Sequence, residues 1–359
     1  MESFDYADVG SSSTVALPRQ QSKLGVDGGV RAWRTTAGGW LVLLATFGYS
    51  NSFGVYQDFY TRNGDASSSR ISWIGSVQIF FLIATGIVSG KLLDAGHFKT
   101  TNIVGTVLYV FSLMMVSIAH HEKYYQIFLS QGLGMGIGAG LLYSPAVAVQ
   151  AHHWRKHRSL AIGIAFSGAA LGGVIFPIML NRLFHGSVGF RWGVRASGFL
   201  VLALLIPGIF LMTTNPLMDG TNKPKPEMIG ILTDVPYLAA CIGGLFNLLG
   251  IFFPLFYLQI FSILHGVDPN TAFYTIAILN ASSVVGRIIT GFAADKIGPM
   301  NAIIPVSLVN GVLLIALLGI TNTGTIIIFS IIFGITSGSF MALCGPVVGS
   351  FARDESEIG

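Results

Sequence analysis

Charge is what this chain has least of. Of its 359 residues only 10% are Asp, Glu, Lys or Arg, while 52% are hydrophobic. An ordinary soluble domain carries about 25% charged residues. Too little polar surface remains to cover a water-soluble fold, and a mean hydropathy of +0.69 points to lipid as the solvent. Cysteine is nearly absent: Cys241 and Cys344 each stand in an apolar run, which argues against a disulfide framework and leaves no metal-binding spacing. The net charge of +4 is spread thinly, without the clustered basic face that nucleic acid requires. Also missing are His-Glu-x-x-His, Gly-x-Ser-x-Gly, a phosphate loop and any pair of intramembrane carboxylates, so nothing points to an enzyme, a cofactor or a metal. Residues 1–36 are mostly polar and lack the basic-then-apolar pattern of a signal peptide. They read as a disordered cytoplasmic tail.

What is present is a series of long apolar runs. About 20 apolar residues let a helix cross the hydrocarbon core. Ten segments meet that length, near 37–57, 73–93, 101–119, 124–150, 159–181, 194–214, 236–258, 270–292, 301–320 and 325–350. Continuous runs exclude a membrane barrel, whose strands alternate. The expected fold is therefore an all-α polytopic membrane protein. With the N-terminus in the cytoplasm, that side collects Arg31, Arg34, Lys91, Lys99, Arg155, Lys156, Arg158 and Lys296, and the opposite side holds fewer cations. The stretch 215–235, rich in Pro and charge, cannot span and reads as a cytoplasmic linker. It separates a six-helix bundle, 37–214, from a four-helix bundle, 236–350, with 351–359 as a cytoplasmic end.

One polar phrase is written twice. "GKLLDAGH" runs from Gly90 to His97, and "GFAADKIG" from Gly291 to Gly298. Each follows the second span of its half, which implies duplicated bundles in parallel orientation, a transporter layout. These residues resemble the major facilitator superfamily, whose Gly-x-x-x-Asp-x-x-Gly signature lies at the same two connections. "DGGVRAW" (Asp27 to Trp33) and "HHWRKHRSLAIGIAFSGAALGG" (His152 to Gly173) narrow the resemblance to the monocarboxylate porter family, in its fungal branch. The resemblance implies a secondary transporter of a small organic anion, monocarboxylate-like or a secondary metabolite, with a proton as co-transported partner. It also implies twelve helices, so the chain is expected to stop before an eleventh. The alternative is a truncated, non-transporting membrane protein or a solute sensor. The plasma membrane is the expected location, with the vacuolar membrane as the other. At two positions where animal lactate porters carry proton-coupling residues, this chain has Asn51 and Ser283.

Arg287 is the chemical outlier. A cation within an apolar span costs about 2.5–3.5 kcal/mol on insertion scales, and intramembrane ionisable residues are functional by default. Arg287 is therefore a candidate to bind an anionic solute through its fork of donors. The other reading is that it pairs with carbonyls or snorkels toward the loop. Asn280 and Ser283 fall at helical spacing from it. Asn51, Tyr143 and Asn247 are further candidates to face a solute. In the repeated phrases, Gly90, Gly96, Gly291 and Gly298 permit close approach. Asp94 and Asp295 can cap a neighbouring helix and act as a cytoplasmic latch, with Arg158 beside them. "GLGMGIGAG" (Gly132 to Gly140) loosely matches a dinucleotide fingerprint, but within a span close helix packing explains it better. His120, His121, His152, His153 and His157 read as a solvated loop cluster.

Overall fold

A computed structural model describes residues 27–63, 67–120, 122–215, 233–320 and 322–351. Every described element is helical, because a backbone in lipid must satisfy its own hydrogen bonds. The first half contains α1 (Val30–Leu43), α2 (Phe53–Asn63), α3 (Ser68–Asp94), α4 (Phe98–Ile118), α5 (Tyr124–Ile127), α6 (Met135–Ala148), α7 (Arg158–His185) and α8 (Gly189–Leu211). The second half contains α9 (Val235–Leu264), α10 (Pro269–Ile297), α11 (Pro299–Leu317) and α12 (Thr323–Ser350). Among the described residues nine helical stretches are long and apolar enough to cross a membrane. A further crossing is assembled from shorter pieces: α1, a π-helical turn over Leu44–Gly48, and α2.

That composite span departs from the expected 37–57. The helix begins at Val30 and ends at Asn63, with a break at Asn51 and Ser52. Residues 30–36, expected in a disordered tail, are helical because they have something to pack on. Ala32 is buried, and Trp33 meets Trp154 edge-on at 5.1 Å. Residues 1–26 of that tail lie outside the described residues, as do 216–232 of the linker and 352–359 of the C-terminal end.

Local chemistry sets several boundaries. Asp268 accepts from the amides of Asn270 (3.1 Å) and Thr271 (3.2 Å), with Pro269 opening α10. Gly298, at φ 89°, closes α10 and starts α11 without a loop. A side chain there would be strained.

The glycines of "GLGMGIGAG" serve packing. A Cβ on Gly136 or Gly140 would strike α3 at Gln78, Phe81 and Leu82, while one on Gly138 would strike Tyr109 of α4. Alternate glycines thus seat α6 against two neighbours at once. On α7, Gly168 faces the Trp40 carbonyl and Gly172 faces Gly48, which brings α1 onto α7 backbone to backbone. The outer faces are apolar: Phe80, Val107, Phe199, Phe246, Leu249 and Ile315 are all exposed, as lipid contact requires.

Candidate functional site

The two halves meet most closely where α7 crosses α10, and the chemistry gathers on that seam. Arg287, on α10, is 5% exposed. Its Nη1 donates to the Phe166 carbonyl on α7, and its Cζ lies 5.9 Å from the Phe166 ring centroid. Tyr143 stands edge-on to Phe166 at 6.0 Å, and Phe47 stacks at a tilt on Tyr143 at 5.8 Å. The carbonyl and the aromatic face offset part of the desolvation of the guanidinium. The offset is incomplete: Arg287 Nε is buried without a hydrogen-bond partner. Carbonyl pairing is thus realised for one nitrogen, while a second donor stays unmet.

Gly163 makes this approach feasible. A Cβ there would collide with the Arg287 carbonyl oxygen. One turn further in, Gly291 of α10 faces Ser159 and Leu160 of α7, where a Cβ would come within 2.8 Å of the Ser159 carbonyl. Two helix turns outward, Asn280 Nδ2 reaches the Gly173 carbonyl (3.4 Å) and the Ile276 carbonyl (3.1 Å). Both Asn280 and Asn51 approach the space above Gly173, which places these two candidates on the same side of α7, at the break in the first span.

Asp295 completes the seam at its inner end. Its Oδ1 accepts from the Ser159 amide (2.9 Å) and its Oδ2 from the Leu160 amide (3.0 Å). The carboxylate therefore caps the N-terminus of a helix from the opposite half, where the helix dipole favours an anion. His157 lies 4.0 Å away. The α7 partners Ser159, Phe166 and Gly173 recur every seven residues, or about two turns. They are addressed by Asp295, Arg287 and Asn280 in order. All these links run from α10 side chains to α7 main chain.

The remaining candidates are placed elsewhere. Ser283 packs against Gly338 of α12, and its hydroxyl donates to the Asn280 carbonyl at 2.8 Å. Four residues from Arg287, or about 40° further around the helix, it is turned toward α12 rather than α7. Asn247 accepts from Asn310 Nδ2 at 3.4 Å, on the α9–α11 pair away from the seam. Arg158 lies flat against Gly349 near the C-terminus of α12: a Cβ on Gly349 would sit 3.3–3.5 Å from its guanidinium. In the first copy of the repeated phrase, Asp94 ends α3 half-buried, and no described atom lies within 4 Å of a Cβ built on Gly90 or Gly96. The histidines are not a uniformly solvated loop. His152 is buried, and His153 Nε2 is 2.6 Å from the Thr213 carbonyl, which ties the α6–α7 turn to the end of α8. Among the described residues no cluster of His, Cys, Asp and Glu could hold a metal ion.

Sequence reasoning missed Phe166 as the partner of Arg287. Its main-chain oxygen does the work, and no residue type marks a carbonyl. Gly163, one turn earlier, was the available signal for close backbone approach.

Two apolar helical bundles, clasped along one polar seam, define a polytopic membrane protein. The sequence profile described as Major Facilitator Superfamily matches residues 38–356, and the chain belongs to that family. It is a multi-pass membrane protein and a transporter, not an enzyme. Among similar proteins is the aspyridones efflux protein apdF of Emericella nidulans, 39% identical over 335 residues, covering 93% of this chain and 68% of that protein. The MFS-type transporter pynF of Aspergillus niger is 38% identical over 352 residues, 97% of this chain and 80% of the relative. The agnestins efflux protein AgnL12 of Paecilomyces divaricatus is 38% identical over 328 residues, 90% and 75% respectively.

Proposed function

We propose that the protein moves a small organic anion across a membrane by alternating access, with Arg287 as the anion-binding cation. The observation that carries this reading is the half-satisfied guanidinium: buried, held by one carbonyl, walled by Phe166 and Tyr143, with Nε unmet. A carboxylate or enolate would supply the missing acceptor and exceed a neutral carbonyl in strength. Asn280 and Asn51 offer amide groups two turns away for the rest of the solute. Ser283, which faces α12, and Asn247, which pairs with Asn310, stand apart from this site. Tyr143 bounds it.

Asp295 serves as the inner latch. It holds α7 when the inner end is closed and releases it when the halves rock apart, with Arg158, Gly291 and Gly298 shaping the same end. Gly90, Asp94 and Gly96 form the matching phrase of the first half. Relatives whose names describe efflux of aspyridones and agnestins favour a secondary metabolite over a simple monocarboxylate, and outward transport at the plasma membrane. A proton is the proposed coupling ion. Export driven by an inward proton gradient requires exchange rather than symport.

The test is a thermal-shift screen of the purified protein against organic acids, including planar polyketide-type acids, beside Arg287→Ala. At least one acid should stabilise the parent and lose that effect in the variant. Equal stabilisation of both proteins by every binding acid would remove Arg287 from the site.

A further inference from the structure

We propose that Asp27 is a positioning residue for the inner latch: it holds the turn before α7 so that the Ser159 and Leu160 amides are presented to Asp295. This rests on the latch reading of Asp295 above. Asp27 Oδ1 accepts from the amides of Arg155 and Lys156, both at 2.6 Å, and the Asp27 amide donates to the His153 carbonyl at 3.0 Å. Three short bonds thus join one residue of the N-terminal segment to one turn of the α6–α7 connection.

The backbone is shaped for the task. Asp27, Gly28 and Gly29 have φ of 91°, 129° and 89°. Two glycines adopt such values freely, but an aspartate rarely does. An observed outlier of this kind is held by its surroundings and marks a functional constraint. The clamp continues behind it. Trp33 packs edge-on against Trp154, and Trp154 Nε1 donates to Thr36 Oγ1 at 3.0 Å. Thr36 Oγ1 in turn donates to Gln150 Oε1 at 2.9 Å, and Gln150 Nε2 reaches the Thr35 carbonyl at 3.3 Å. Residues 27–36 therefore grip residues 150–156 throughout.

Two carboxylates then act on one short stretch. Asp27 takes amides 155 and 156 from within the first half, and Asp295 takes amides 159 and 160 from the second. The N-cap position of α7, His157, supplies no side-chain cap of its own. The first amides of α7 thus depend on Asp295, which leaves whenever the halves separate. Without Asp27 the turn would have to reorder at each closure. With it, the amides wait in place, and the ordering cost is met beforehand.

The experiment uses the full chain with Cys241→Ser and Cys344→Ser, and a reporter at Ala342→Cys. Ala342 is 1% exposed and packs between Leu43, Ile162 and Phe166, between the halves. A charged, water-soluble maleimide should react slowly in this parent and faster when the inner end opens. Asp295→Asn should accelerate labelling. Asp27→Ala should accelerate it roughly tenfold, the scale expected for losing a charge-assisted acceptor of two amides. Asp27→Glu should restore most of the slow rate. Asp27→Ala added to Asp295→Asn should add nothing, because the two act through one element. If Asp27→Ala does not purify as a folded protein, Asp27→Asn, which keeps an acceptor oxygen, should show a smaller acceleration. The proposal is overturned if the Asp27 variants label at the parental rate while Asp295→Asn is fast, or if the two accelerations multiply. An unchanged rate in Asp295→Asn alone would instead sink the latch reading, and the role of Asp27 with it.

Discussion

The repeated phrase occupies two very different environments. In the second half, Gly291 presses against the backbone of Ser159 and Leu160, and Asp295 caps the helix they begin. In the first half, nothing described lies within 4 Å of a Cβ on Gly90. The same contrast separates the helices that open each half. In the first span, Gly38 of α1 and Gly48 of the π-helical turn meet Gly208 and Gly172 across backbone-to-backbone contacts, whereas Gly243 and Gly244 of α9 face open space. Glycine provides only the opportunity for close approach. The contact exists where another helix arrives, and in this conformation it arrives at the α7–α10 seam.

Equivalent substitutions in the two copies should therefore diverge. The largest effect is expected at the seam: Gly291→Ala should cost about 1–3 kcal/mol, because the new methyl meets main chain that must shift. Gly163→Ala should behave alike. Thermal unfolding of purified protein in micelles measures both. Asp295→Ala should cost about 1 kcal/mol, the scale of a lost helix cap, in the same assay. Gly90→Ala should reverse the sign and stabilise by up to about 1 kcal/mol, since an unencumbered helical glycine gains from a methyl. A loss at Gly90 as large as at Gly291 would erase the distinction between the two copies. Smallest is the Asn247–Asn310 pair: Asn247→Leu should cost roughly 0.6 kcal/mol, the mean for hydrogen bonds between membrane helices, and leave solute binding intact. Loss of binding there would move the site from α10 toward α9.

Much of the fold was legible because span length is a one-dimensional property. Nine of the ten apolar runs reappear among the described residues as helices long and apolar enough to cross, and the first as the composite of α1, the π-helical turn and α2. The break at Asn51 and Ser52 was not legible, since a short polar stretch such as residues 50–52 is equally compatible with an unbroken helix. The site was legible by half. Arg287 announced itself as a charge in an apolar run, and Asp295 as a cap without a known helix. Their partners did not, because the Phe166 carbonyl and the Ser159 and Leu160 amides belong to the main chain. Asn247 looked like a site residue on type, and Ser283 on its helical spacing from Arg287. Only the rotation of each helix shows that one faces Asn310 and the other Gly338. Asp27 stood in plain sight within "DGGVRAW", yet its task required knowing where the α6–α7 turn would fall.

The central claim is that the α7–α10 seam opens and closes at its inner end. Spin labels at Lys156→Cys and Ile297→Cys, both exposed positions flanking that end, would report it directly in a chain lacking Cys241 and Cys344. The account predicts two distance populations, with the longer one enriched by Asp295→Asn. A single distance, unmoved by that substitution, would contradict it.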